Sequence, residues 1–142
     1  MRSKPVVLVA CVGNSCRSQI AAGWLRHLGG DRIEVLSGGT KPGKAVALRA
    51  LTVMDEVGID LRGNVPTHVS AHEGRTVDHA IAVCEETDEG CLESFGTATF
   101  HKLPVFDPGH LAGTEDEILQ AHRVARDELR ASMDAFLKGI LP

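Results

Sequence analysis

The feature that most constrains the fold of this chain is an apolar strand that runs straight into a loop of small residues and then into a helix. Residues 5–10 read PVVLVA, a β-rich apolar run typical of a strand buried on both faces. The loop CVGNSCRS follows, beginning at Cys11. From residue 15 to residue 28, apolar side chains recur at three- and four-residue spacings, which predicts a helix that stops at Gly29. A strand, loop and helix in this order are typical of an α/β domain.

The same alternation of strands and helices continues along the rest of the chain. Further strands are predicted at residues 33–36, 78–83 and 100–105, and further helices at residues 46–57 and from residue 114 onward. Thr114 and Glu117 fit a capping box at the start of the last helix. We therefore predict one α/β domain over residues 1–142, with a four-stranded, mostly parallel sheet and helices on both faces.

The net charge and the first apolar run indicate which binding partners and which cellular compartment to expect. A net charge of −4, with no run of Lys or Arg, argues against binding of nucleic acid. The first apolar run stops at Gly13, too early for a signal-peptide core or a membrane span, so we expect a cytoplasmic protein that does not bind membranes. We also expect a monomer. Thiols stay reduced in the cytoplasm, so the four cysteines are expected to be catalytic, redox-active or metal-binding rather than structural.

The loop after the first strand has the residue types of an oxyanion site. A loop that leads into a helix presents successive backbone N–H groups and the positive end of the helix dipole. These groups stabilise both a thiolate at Cys11 and a bound anion, and the planar fork of Arg17 can hold two anion oxygens. The candidate anion-binding residues are Gly13, Asn14, Ser15, Cys16, Arg17 and Ser18, with the Ser18 hydroxyl as a further donor to the Cys11 sulfur. The alternative is a buried structural cysteine beside an ordinary loop.

The other three cysteines differ in their settings. Cys16 lies inside the loop, where we expect a packing side chain rather than a reversible disulfide with Cys11. Cys84 follows the predicted third strand and Cys91 comes seven residues later, which is not a zinc-binding spacing. The acidic segment EETDEG between them is expected to be exposed, and mobile enough to join the two thiols as a disulfide. Two unrelated free cysteines are the alternative, but beside the Cys11 loop a thiol relay is favoured.

Asp107 is the candidate proton donor. It follows the predicted fourth strand and precedes Pro108 in LPVFDPGH. Cys11, Cys84 and Asp107 each follow a strand, and a parallel sheet would bring all three to the edge where ligands of such folds bind. A carboxyl group held over the loop, beside apolar neighbours, can protonate a leaving oxygen. A solvated turn aspartate is the alternative, because Asp-Pro-Gly is common in turns, and no spacing assigns a role to His110.

The loop CVGNSCRSQIAAGW resembles the phosphate-binding loop of the low-molecular-weight protein tyrosine phosphatase fold. More narrowly, it is similar to the loop of the thioredoxin-coupled arsenate reductases. The likeness spans nearly the whole chain and includes SGGTKP, MDEVGID, CEETDEGC, FDP and GTEDE. The cysteine pair separates reductase from phosphatase, because simple phosphatases of this fold have no use for it. Such phosphatases also typically carry tyrosines after the Asp-Pro, and this chain contains no tyrosine.

The resemblance implies an arsenic-detoxifying reductase that works through thiols. Cys11 attacks arsenate held by the loop and Arg17, and Asp107 protonates the departing hydroxyl. Cys84 then attacks Cys11, which releases arsenite and leaves a Cys11–Cys84 disulfide. Cys91 resolves that bond, and thioredoxin reduces the resulting Cys84–Cys91 disulfide. The scheme needs no bound cofactor and no metal.

The sequence departs from the family pattern in two places. Some relatives bind a monovalent cation under the loop, and the acidic positions used there match Ala22 and His68 here, although Asn14 and Ser37 are retained. The segment HKLPVFDP also differs from an HWGFDDP-like run, so its lysine and proline are expected to change how the segment between the cysteines packs.

Two other functions remain open at this stage. One is a phosphomonoester hydrolase that acts, for example, on phosphotyrosine, since the same loop would serve it. The other is a non-catalytic module that binds oxyanions or senses thiols. Glutaredoxin or another thiol donor is the alternative to thioredoxin as the reductant.

Overall fold

Four parallel strands form the centre of the protein in a computed structural model that describes residues 4–142. The strands are β1 (Val6–Cys11), β2 (Glu34–Gly39), β3 (His79–Ala82) and β4 (Thr99–Lys102). Their order across the sheet is β2-β1-β3-β4, and every neighbouring pair is parallel. Ala10 in β1 is in register with Gly38 on one side and with Ala82 on the other. Residues 1–3, at the basic start of the sequence, lie outside the described residues.

Side chains alternate along each strand and so reach two separate cores. Three α-helices cover the first face of the sheet: α1 (Arg17–Gly29), α2 (Leu48–Asp55) and α3 (Glu115–Ile140). The sheet residues buried under them include Val7, Val9 and Ile81. Two 3₁₀-helices cover the second face: Val69–His72 and Glu89–Phe95. The sheet residues buried there include Leu8, Ala10 and Ala80.

The predicted parallel sheet with helices on both faces is confirmed, with short 3₁₀-helices on the second face. β4 ends at Lys102 instead of continuing to residue 105. The Leu103 and Val105 N–H groups still donate to the Ala82 and Val83 carbonyls, at 2.9 and 3.1 Å, but acceptors on adjacent residues depart from the two-residue step of a regular ladder. The predicted capping box forms, with the Glu117 N–H donating to Thr114 Oγ1 at 3.1 Å. None of the helices within residues 4–142 is both long enough and apolar enough to cross a membrane.

The parallel topology gathers three chemistry-bearing residues at one edge of the sheet. Cys11 is the last residue of β1, and Cys84 comes two residues after the end of β3. The Val83 N–H donates to the Ala10 carbonyl at 3.1 Å, so the backbones of these two cysteines lie on adjacent strand ends. Asp107 follows β4, the neighbour of β3, by a short connection.

Candidate active site

The loop after β1 is held in place by hydrogen bonds to its carbonyl groups. The carbonyls of Cys11, Val12, Gly13 and Ser15 accept the N–H groups of Thr40, Lys41, Gly43 and Ala47 at 3.2, 2.9, 2.9 and 2.8 Å. The C=O and N–H of a trans peptide point in opposite directions, so the N–H groups of the same peptides face away from that segment. One of them, the Asn14 N–H, donates to the Cys11 sulfur at 3.2 Å, and the loop lines the adjoining cavity. Successive backbone N–H groups in such a loop are suited to binding an anion.

The segment SGGTKPG packs against this loop too closely for a side chain at Gly39. A Cβ atom at that position would lie 2.5 Å from the Val12 carbonyl oxygen. Glycine is therefore required where β2 meets the loop.

Asn14 fixes the shape of the loop from inside. Its backbone has a φ of 50°, and its side chain is fully buried. The Thr67 N–H donates to Asn14 Oδ1 at 2.9 Å, which orients the amide so that Nδ2 donates to Ser18 Oγ at 2.7 Å. Gln19 Nε2 donates to the Asn14 carbonyl at 3.0 Å. The loop is thus pre-organised before any ligand binds.

The Cys11 sulfur is only 4% exposed and lies near two hydrogen-bond donors. The Asn14 N–H donates to Sγ at 3.2 Å, and Ser18 Oγ lies 3.0 Å from Sγ. Because Ser18 Oγ already accepts a hydrogen from the Asn14 amide, its own hydrogen is available for the sulfur. Both donors stabilise negative charge on Cys11, as a thiolate nucleophile requires.

Arg17 begins α1 and joins the loop to the chain after β4. Its guanidinium donates to the Val105 carbonyl at 2.9 Å and lies 3.5 Å from Asp107 Oδ2. The residue is 9% exposed and lines the same cavity as Cys11. A partly buried, anchored guanidinium in this place provides a fixed positive charge for an oxyanion.

Asp107 lies in the cavity wall and also caps a turn. Its Oδ1 accepts the Gly109 N–H at 2.9 Å, and its Oδ2 lies 3.2 Å from His110 Nδ1. The sequence predicted apolar neighbours for this carboxyl group, whereas in the structure its side-chain oxygens lie near Arg17 and His110. The turn and the proton-donor interpretations are therefore compatible, because the side chain that caps the turn also faces the cavity.

The cavity that these residues line has a volume of about 800 Å³, much more than a small oxyanion fills. Its outer wall comes from α2, α3 and the segment after β3, and includes Leu48, Arg49, Glu86, Glu115 and His122. Arg49 and Glu115 form a bidentate ion pair at 2.9 and 2.6 Å.

The loop after β1, Arg17 and Asp107 lie in a region whose sequence is similar to that of known proteins. A protein-family model described as low molecular weight phosphotyrosine protein phosphatase matches residues 6–138, which include all three. The chain belongs to this family.

Individual members of the family and its structural neighbours include both reductases and phosphatases. An arsenate reductase from Shouchella clausii is 28% identical over 134 residues, which cover 94% of this chain and 96% of that protein. A solved structure described as an arsenate reductase in the phosphate binding state superposes with a TM-score of 0.82 at 25% identity, covering 96% of this chain and 98% of the other. A low molecular weight protein tyrosine phosphatase from T. tengcongensis superposes with a TM-score of 0.81 at 18% identity, covering 96% of this chain and 100% of the other, and shares the fold.

Cys84 and Cys91, the two other thiols of the expected relay, do not line the cavity that contains Cys11. Cys84 is fully buried, with its Sγ 3.1 Å from Thr87 Oγ1, and Cys91 is exposed on the 3₁₀-helix Glu89–Phe95. All four cysteines are free thiols. Since Cys84 is buried and Cys91 is exposed, a bond between them requires at least one of the two residues to change its surroundings.

Cys16 lines the cavity as a protonated thiol. Burial, with smaller contributions from the charges of Asp107 and Cys11, raises the pKa of Cys16 to about 12. A thiol that stays protonated is a poor partner for disulfide exchange, which favours the packing interpretation of this residue.

The residues at the position where the resemblance implies a cation offer few oxygen ligands. The Ser37 carbonyl accepts from His72 Nε2 at 2.8 Å, and Asn14 Oδ1 accepts from Thr67. Ala22 is buried in the core and has no oxygen ligand to offer in its side chain. Within residues 4–142, no three His, Cys, Asp or Glu side chains are grouped so as to hold a metal ion.

Sequence reasoning did not identify several residues of this region. His122 of α3 is 2% exposed and lines the cavity, with Nδ1 2.8 Å from the Ile118 carbonyl. Its position on the apolar side of α3 was the available signal, but that position indicates packing as readily as function. Thr87, fully buried beside Cys84, was expected to be exposed with the rest of its acidic segment.

Proposed function

We propose that this protein reduces arsenate to arsenite through Cys11, Cys84 and Cys91, with thioredoxin as the electron donor. The observation that carries the proposal is the position of Cys84, a second thiol on the strand end adjacent to that of Cys11. Phosphate-ester hydrolysis needs only the loop thiol, and a further pair of free thiols suits a redox reaction. The arsenate reductase of Shouchella clausii, similar over 94% of this chain, supports the same substrate.

The first step is nucleophilic attack on a bound arsenate. The N–H groups of the loop and the Arg17 guanidinium bind the tetrahedral anion, as they would bind phosphate. The Cys11 thiolate forms a bond to arsenic, and one arsenic–oxygen bond breaks. Asp107 gives its proton to the departing oxygen, so that water leaves rather than hydroxide. The short distance from Arg17 to Asp107, 3.5 Å, supports placing both groups against the same anion.

The second step is the reduction itself. The Cys84 thiol attacks the Cys11 sulfur and gives its proton to an oxygen of the departing arsenic group, and the electron pair of the sulfur–arsenic bond passes to arsenic. Arsenic(V) becomes arsenic(III), arsenite leaves, and Cys11 and Cys84 are joined by a disulfide. Two thiols supply the two electrons, so the step needs no bound cofactor.

The last step carries the oxidation to the surface. Cys91 attacks the Cys84 sulfur and releases the Cys11 thiolate, which leaves a Cys84–Cys91 disulfide. Cys91 is exposed, so this disulfide is within reach of another protein. The dithiol of thioredoxin then reduces the Cys84–Cys91 disulfide and is itself oxidised to a disulfide.

Arsenate-dependent oxidation of NADPH in the presence of thioredoxin and thioredoxin reductase tests the proposal. We expect sustained consumption that requires both arsenate and thioredoxin, and loss of turnover in Cys84→Ser and Cys91→Ser. Efficient hydrolysis of an aryl phosphate that is unchanged in Cys84→Ser, with no arsenite formed, would instead establish a phosphatase. Tight arsenate binding without turnover under any reductant, glutaredoxin included, would establish a binding module.

A further inference from the structure

Lys102, the last residue of β4, binds the start of the segment between Cys84 and Cys91. Its Nζ donates to the Glu85 carbonyl at 2.6 Å, to the Thr87 carbonyl at 2.8 Å and to Asp88 Oδ1 at 2.8 Å. An ammonium group has three hydrogens to donate, and all three are used here on one stretch of chain. We call residues 84–91 the redox segment.

These contacts act on Cys84 indirectly, because they fix Thr87, which lies against the Cys84 sulfur. The Thr87 side chain is fully buried and its hydroxyl lies 3.1 Å from Cys84 Sγ, which is itself fully buried. The hydrogen bond to Asp88 raises the pKa of Lys102, with desolvation opposing it, so the ammonium group stays charged at neutral pH. The lysine thereby fixes the turn that covers the Cys84 sulfur.

Formation of the Cys84–Cys91 disulfide would act on the same segment that these contacts hold. The Cα atoms of a disulfide lie about 6 Å apart, with both sulfurs in contact. In the dithiol state Cys84 is fully buried while Cys91 is exposed. All three partners of Lys102 lie between the two cysteines, in the stretch of chain whose ends the disulfide would join.

We propose that Lys102 is a positioning residue for Cys84. In the dithiol state Lys102 holds the redox segment closed, that is, folded over the Cys84 sulfur, and it releases the segment when the Cys84–Cys91 disulfide forms. This inference rests on the proposed relay and adds to it the group that controls its second thiol. Contacts made only in the dithiol state stabilise that state. They therefore make the disulfide easier to reduce, which returns the protein to its active form.

The reduction potential of the Cys84/Cys91 couple tests this role. Full-length protein with Cys11→Ser and Cys16→Ser retains only this pair, and it is equilibrated with mixtures of reduced and oxidised dithiothreitol. The two thiols lose two electrons and two protons to the oxidised reagent as the disulfide forms. Adding Lys102→Met removes the ammonium group but keeps the length of the side chain. We expect disulfide formation to be favoured by about tenfold or more, which is about 30 mV towards more negative potential.

Three further variants separate positioning from a general loss of structure. Asp88→Asn removes the ion pair and leaves the two carbonyl contacts, so a smaller shift in the same direction is expected. Lys102→Arg keeps the charge, and its potential is expected to lie between that of Lys102→Met and that of the protein with Lys102. Lys138→Met removes a lysine that pairs with Asp134 on α3, and it is expected to leave the potential unchanged.

Alkylation of the reduced protein by iodoacetamide gives a second readout that needs no disulfide. Peptide-resolved labelling is expected to be about tenfold faster at Cys84 in Lys102→Met and unchanged at Cys91, because only Cys84 is covered by the closed segment. A potential and a Cys84 labelling rate equal to those of Lys138→Met would overturn the inference. Failure to form a Cys84–Cys91 disulfide at any ratio of dithiothreitol would contradict the relay instead, and the labelling rates would still decide whether Lys102 holds Cys84 closed.

Discussion

Ser18 Oγ lies 3.0 Å from Cys11 Sγ, and once Cys11 is a thiolate only the hydroxyl has a hydrogen to donate between the two atoms. The hydroxyl therefore acts as a donor to the proposed nucleophile. Replacing Ser18 by Ala removes that donor and leaves the backbone donor from Asn14 in place.

We expect Ser18→Ala to slow the reaction of Cys11 with iodoacetamide at neutral pH by about tenfold, the effect of one lost hydrogen bond to a charged group. The arsenate-dependent rate is expected to fall with it. Ser132→Ala, on α3, is the matched control and is expected to change neither rate. An unchanged alkylation rate in Ser18→Ala would show that the hydroxyl does not support the thiolate.

Arg17→Lys tests the guanidinium as an anion clamp. Lysine retains the charge but loses the planar fork, and it cannot both bind the Val105 carbonyl and face the anion. We expect kcat/KM for arsenate to fall about a hundredfold, which is about 2.7 kcal/mol of transition-state stabilisation. Arg62→Lys changes an exposed arginine that pairs with Asp60, and it serves as the control. Equal kinetics in the two variants would exclude a clamp at Arg17.

Gly39→Ala tests the close packing that shapes the loop. The added Cβ would lie 2.5 Å from the Val12 carbonyl oxygen, so the strand end or the loop has to move. We expect the free energy of unfolding to fall by about 1 to 3 kcal/mol, as overpacking typically costs, together with weaker anion binding. At Gly139 of α3 an added Cβ meets no atom within 4 Å, so Gly139→Ala is expected to stabilise the helix by up to about 1 kcal/mol. Urea unfolding of the two variants would contradict this account if both changed stability in the same direction.

Glu56 links the end of α2 to α3 and gives the protein a pH-dependent contribution to stability. Hydrogen bonds from Arg123 at 2.8 Å, and then from Arg126 at 2.9 Å, lower the pKa of Glu56 below its ordinary 4.5. A carboxylate with a lowered folded-state pKa stabilises the protein above that ordinary value, and the contribution is lost as the pH falls through the folded-state pKa.

We expect Glu56→Gln to lower the free energy of unfolding by about 1 kcal/mol at pH 7, a modest amount because the pair is partly exposed. The difference from wild type is expected to shrink in acid. Glu128→Gln, at an exposed position on α3, is expected to have no effect at either pH. Urea unfolding at pH 7 and in acid measures this difference in the free energy of unfolding. A difference that grew on acidification would contradict the lowered pKa of Glu56.

The fold was predictable because its signals are local. The apolar run before Cys11 and the capping box at Thr114 each depend on neighbouring residues, and the structure has both elements where they were predicted. Asp107 and Cys11 line one cavity because parallel strands end at one edge, which is also a rule that sequence order supplies.

The surroundings of Cys84 were less predictable because they depend on contacts between segments that are distant in the sequence. Lys102 was recognised only as a departure from the family pattern, and its three acceptors lie 14 to 17 residues earlier in the chain. Thr87 stands in an acidic, polar run that predicts exposure, yet it is buried, with its hydroxyl beside the Cys84 sulfur and its carbonyl bonded to that lysine. His122 reaches the cavity from α3, and no spacing relates it to the loop.

The most direct test of the relay is a single turnover of Cys91→Ser with arsenate, followed by peptide mapping under non-reducing conditions. Without Cys91 the reaction is predicted to stop after one arsenite per protein, with Cys11 and Cys84 joined by a disulfide. Release of arsenite with Cys84 still a free thiol, or repeated turnover of Cys91→Ser with thioredoxin, would contradict the proposed sequence of thiol transfers.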